Sequence, residues 1–160
     1  MAIPAGLCAV GLAVLGWQSH RYYAAMPPWV ASHFALSGQA DGFLPKGVFF
    51  ELMWVIYVIV FAYALFGTRL GLRPARFVPE PSYWLAPERR DQTLRWCQAH
   101  AAWEGVMTFI FLYAVVEFVA DANLAKGGTL AVRPFLAVLF AFIAAILGSR
   151  WHFRRSHFVR

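Results

Sequence analysis

The chain has 160 residues, of which 61% are hydrophobic and only 14% charged, with a formal net charge of +6. A soluble domain carries about 25% charged residues, so this composition excludes one and points to a membrane protein. Cationic loops facing anionic lipid headgroups account for the positive charge, and no nucleic acid is expected as a partner.

In chain order, the first apolar run, residues 2–17, has no charged side chain and extends as helix to about 25, where Pro27 and Pro28 stop it. It lacks a basic segment ahead of it and is expected to be an uncleaved span, about 3–25, rather than a signal peptide. The second run, 47–68, lies between Lys46 and Arg69 and is interrupted only by Glu51. At about 1.5 Å per residue it covers roughly 30 Å of hydrocarbon. The third span, about 100–120, carries Glu104 and Glu117, and the fourth, about 130–149, carries Arg133 near its start. Backbone groups in lipid must be satisfied within their own segment, so the expected fold is all-α: one four-helix transmembrane domain over 1–160. Small residues recur every four positions in the first span (Ala5, Ala9, Ala13) and in the fourth (Ala137, Ala141, Ala145). These stripes predict close packing of those two helices.

The longest loop, 69–99, has a proline-rich half and then a helical half. Pro87 suits a first helical turn, and Glu88 and Asp91 suit the positive end of the helix dipole. That helix is expected to run straight into the third span. Trp84, Trp96, Trp103 and Trp151 then fall at one membrane interface. Cys8 and Cys97 face reducing surroundings or lipid, and no disulfide is expected.

Orientation follows from the short loops. Arg69, Arg73, Arg76, Arg89, Arg90, Arg95 and the tail residues (150–160) Arg150, Arg154, Arg155 and Arg160 lie on one side; Arg21, Lys46, Lys126 and Arg133 lie on the other. The positive-inside rule puts both termini in the cytoplasm and the 26–46 loop outside.

That outer loop is short yet rich in apolar residues, so it should lie ordered on the bundle. A one- or two-turn helix starting at the prolines and stopping at Gly38 is expected, followed by a turn at Asp41 and Gly42. These features need no ligand. The stretch "MPPWVASHFALSGQADGFLPK" resembles the signature loop of a bacterial membrane domain of unknown function that also forms the N-terminus of SdpI-type immunity proteins. The shared pattern falls on Pro27, Val30, His33, Phe34, Gly38, Asp41, Gly42, Phe43 and Lys46. Ala35 stands where that family often has Asn, and Pro45 where it often has Ser. A second stretch, "YWLAPERRDQTL" (83–94), resembles the cytoplasmic loop of the smaller, four-helix members. The resemblance implies a membrane bundle with a binding loop, of immunity or signalling type.

Ionisable groups in spans are costly and are functional candidates by default. His20, Arg21, Glu51, Glu117, Asp121 and Arg133 are expected to form a charged outer layer beneath the loop, with His33, Asp41 and Glu51 as one connected cluster. This layer is read either as paired charges closing the bundle or as a site for a peptide or ion. His100 and Glu104 form a polar pair at the inner end, with His152 at similar depth. The spacing of His20, His33, Asp41 and Glu51 matches no metal-ligand pattern, and histidines such as His100 and His152 are common at interfaces without a haem between them, so no cofactor is expected. No nucleophile elbow, phosphate loop, paired-cysteine motif or HExxH is present, and no enzyme is expected. The expected function is binding of a peptide or partner at the outer face. An accessory subunit of a larger membrane complex is the alternative, and a small transporter or ion-binding protein the third.

Overall fold

The computed structural model describes residues 2–68, 78–125 and 128–158. Arg69, Arg73, Arg76, Lys126 and Arg160, counted above for orientation, lie outside these residues.

Four long helices dominate: α1 (Ala2–Ala25), α2 (Lys46–Phe66), α4 (Pro87–Leu124) and α5 (Val132–His157), with a single turn, α3 (Pro81–Trp84), before α4. Three of them, α2, α4 and α5, are long and apolar enough to cross a membrane. At about 1.5 Å per residue α4 is about 57 Å long, well beyond a bilayer's hydrocarbon, because the helix begun at Pro87 continues without a break through the third apolar run.

The helix α4 is the spine, packing against α1, α2 and α5. One core cluster lies where α1, α2 and α4 meet midway and joins Cys8, Leu15, Tyr57, Ala64, Ala102 and Phe109. Gly105 allows this approach: a Cβ there would stand 2.6 Å from that of Ala64 and 3.2 Å from Cys8 Sγ. Cys8 and Cys97 are both free and buried, and the Cys8 thiol donates to the Ala102 carbonyl.

Two expectations fail here. The alanine stripes do not pack α1 on α5. Ala9, Ala13, Ala137, Ala141 and Ala145 are exposed, and α5 rests on α4 with none of its residues buried. With α4 as the shared neighbour, α1 turns its Cys8, Leu15, Gln18 and Tyr22 face inward instead.

Nor is the fold wholly helical. The 26–46 loop is a β-hairpin of β1 (Trp29–Phe34) and β2 (Ala40–Pro45), antiparallel, with Val30 opposite Leu44 and Ala31 opposite Phe43. The pair Pro27-Pro28 ends α1 but starts no helix, since the residue before a proline is driven to extended backbone. Gly38 does adopt a positive φ, +87°, but in the hairpin turn, where its N–H donates to the Ala35 carbonyl. Asp41 and Gly42 sit inside β2 rather than in a turn. Below the hairpin lies the second core cluster, Tyr22, Met26, Val30, Phe49, Phe50, Val116, Val119 and Ala120, with Phe34 and Leu44 packed on it.

Candidate functional site

The hairpin is fastened to the bundle at three places. At its base, the Lys46 N–H donates to the Pro28 carbonyl at 2.9 Å. The Lys46 ammonium donates to the Met26 carbonyl at 3.3 Å and lies 4.9 Å from the Tyr23 ring centre. Midway, the Asn123 amide from the last turn of α4 accepts the Ala31 N–H at 2.8 Å and donates to the Ala31 carbonyl at 3.0 Å. At the tip, the Leu130 N–H donates to the Gly38 carbonyl at 2.8 Å, and Gln39 bridges to Thr129, which ties the turn to the segment leading into α5.

Residues alternate across a strand. Val30, Phe34 and Leu44 therefore go down into the core, and Trp29, His33, Asp41, Phe43 and Pro45 are left facing out. Trp29 is 62% exposed and Phe43 56%. Neither ring is buried, although the backbone that carries them is fixed. A register shift on each side of His33 sets it opposite Gly42. A Cβ on Gly42 would stand 2.8 Å from that of His33, so only glycine leaves room. The His33 ring then reaches Asp41, Nδ1 to Oδ1 at 2.5 Å, with both side chains largely in solvent. An ionised carboxylate only accepts, so Nδ1 donates to Asp41 and Nε2 is left open to solvent. Such an exposed pair adds little stability; it orients the ring.

The outer charged layer is more dispersed than expected. Glu51 does not join the His33–Asp41 pair: it is exposed on α2, and no ion pair or hydrogen bond reaches its side chain among the described residues. Its neighbours Phe49 and Phe50 take the positions facing the core beneath the hairpin, and each step along a helix turns the side chain by about 100°. His20, Asp121 and Arg133 are likewise exposed and unpaired among the described residues.

Glu117 alone is drawn in. It accepts from Gln18 Nε2 at 2.8 Å and from the Tyr22 hydroxyl at 2.5 Å, and Gln18 also donates to the Tyr113 carbonyl. Arg21 stacks over Trp17 and Tyr22, placing a positive charge beside the same group. Gln18, fully buried, and Asn123 carry roles that the sequence did not signal.

Near the middle of α4, buried Glu104 accepts from Arg150 Nε at 2.7 Å and lies 3.4 Å from His100 Nε2. His100 stacks flat on Phe153, ring centres 4.3 Å apart, while His152 is exposed and faces Ser156. The two histidines have separate neighbours and frame no common site. Among the described residues no group of three or more His, Cys, Asp or Glu side chains converges as metal ligands would.

Pro27, Gly38, Asp41, Gly42 and Lys46 thus build the hairpin, and Phe34 anchors it. His33, Phe43 and Trp29 are what it displays. No protein-family model, no curated protein and no solved structure matches the chain.

Proposed function

We propose that the chain is a non-catalytic membrane protein crossing a bacterial inner membrane four times, with both termini in the cytoplasm, that binds a partner on the outward face of its hairpin. The observation that carries this reading is a fixed backbone displaying unburied rings. A two-stranded hairpin is marginal alone, yet this one is held by Lys46, Asn123 and Leu130 while Trp29 and Phe43 stay exposed beside the His33–Asp41 pair. Exposed aromatic residues on a preorganised surface are the usual anchors of recognition. The count of ten cations against four supports the orientation. The resemblance to the SdpI-type domain, carried by Pro27, His33, Phe34, Gly38, Asp41, Gly42 and Lys46, supports a secreted peptide as the partner.

A photo-crosslinking side chain at Phe43 in intact cells tests the reading. A peptide or protein adduct, absent when the same group is placed at lipid-facing Ile59, is the expected result. Lipid-only adducts at both positions would refute it.

The accessory-subunit reading has its own support in α5, which buries no residue and leaves Phe140, Ile143 and Leu147 exposed. A stoichiometric partner surviving mild detergent and crosslinking to Phe140 would favour it.

A further inference from the structure

Between α2, α4 and α5 runs a groove of about 460 Å³, walled by Ile59, Val60, Ile143, Ile146 and Leu147. Its polar groups gather towards the end of α5, where Arg150 meets Glu104. Arg150 keeps 54% of its side chain exposed while bonded to this buried carboxylate. Residues 143, 147, 150 and 154 follow i, i+4, i+7, i+11 spacing, so one face of α5 passes from apolar wall to two arginines. No carboxylate pairs with Arg154 among the described residues, and Arg155 lies 4.3 Å over the ring of exposed Trp151 beside it. Arg150 is eighteen residues beyond Val132, about 27 Å along the helix. In a membrane-spanning α5 that distance places it at headgroup depth.

A second apolar helix would fill the walls but leave Arg154, and the exposed part of Arg150 that Glu104 does not cover, unanswered. A phospholipid answers both, its acyl chain in the groove and its headgroup phosphate at the arginines, because the guanidinium fork matches phosphate oxygens and cations near the surface attract anionic lipid. We propose that the groove holds one acyl chain of an anionic phospholipid whose phosphate lies between Arg150 and Arg154. The site rests on the membrane reading above and is independent of what the hairpin binds.

The test offers the full chain, in mild detergent, equal amounts of phosphatidylglycerol and phosphatidylcholine with identical acyl chains, and counts bound lipid by native mass spectrometry. One phosphatidylglycerol should be retained, favoured by roughly fivefold for each arginine engaged. Arg154→Gln should lower that preference. So should the double change Glu104→Gln with Arg150→Gln, which leaves no buried charge unpaired. Filling the groove with Ile143→Trp should displace both lipids. Equal retention of the two lipids, a preference untouched by these changes, or a second protein copy in place of lipid overturns the site. Carbonate extraction from membranes separates the two readings: a chain released by carbonate refutes the membrane reading, whereas an integral chain without lipid preference refutes the site alone.

Discussion

Asn123 holds the peptide unit of Ala31 from both sides, accepting its N–H at 2.8 Å and donating to its carbonyl at 3.0 Å. A side-chain amide at the end of α4 thereby occupies the outer edge of β1 as a third strand would. Ala31 is buried, so replacing Asn123 by Ala orphans two backbone groups, at about 1–3 kcal/mol each. The Ala31 amide should lose its protection from hydrogen exchange while amides in mid-α2 keep theirs. An equally protected Ala31 in the variant would mean that the clamp is incidental.

Gly38 is fixed by conformation and by space. Its φ is +87°, and a Cβ there would stand 2.5 Å from the Leu130 carbonyl oxygen. Gly38→Ala should cost about 1–2 kcal/mol in backbone strain alone and free the hairpin tip from the segment before α5. Proteases should then cut at 35–39, and the Leu130 amide should exchange faster. A tip that stays resistant would contradict the tie.

Glu117 and Glu51 make a matched pair of acidic residues in apolar surroundings. Glu117→Ala strips the acceptor from Gln18 and Tyr22, for a loss of about 1 kcal/mol per bond. Glu51→Gln touches no partner and should shift stability by less than about 0.5 kcal/mol. Thermal unfolding in one detergent compares them, and similar losses for both would show that Glu51 has a role the geometry does not account for.

The apolar runs made the long helices legible, and Pro87 marked the start of α4 because a first-turn proline loses no hydrogen bond there and Glu88 beside it suits the positive end of the helix dipole. The hairpin was not legible. Val30 and Ala31 are both buried and a bulge follows at Ser32, so β1 lacks the strict alternation that betrays a strand. The Asp41-Gly42 pair has the chemistry of a turn, yet Gly42 is there to clear His33. The stripes of alanine misled for a related reason: small residues permit close packing but do not compel it, and α1 packs on α4 through its Cys8, Leu15, Gln18 and Tyr22 face instead. Asn123, near a helix end, reads as an ordinary terminus residue; only the fold brings it to Ala31.

The proposed function has the hairpin on the extracytoplasmic side of the membrane as a fixed display surface, and sidedness tests it most directly. Ser37 lies in the exposed hairpin turn and Ser156 is exposed near the end of α5, while both native cysteines are buried. Ser37→Cys and Ser156→Cys are each treated with a membrane-impermeant maleimide, in intact cells and after permeabilisation. The account predicts that the Ser37→Cys variant labels in intact cells and the Ser156→Cys variant only after permeabilisation. The reverse pattern, or equal labelling of both in intact cells, would contradict it.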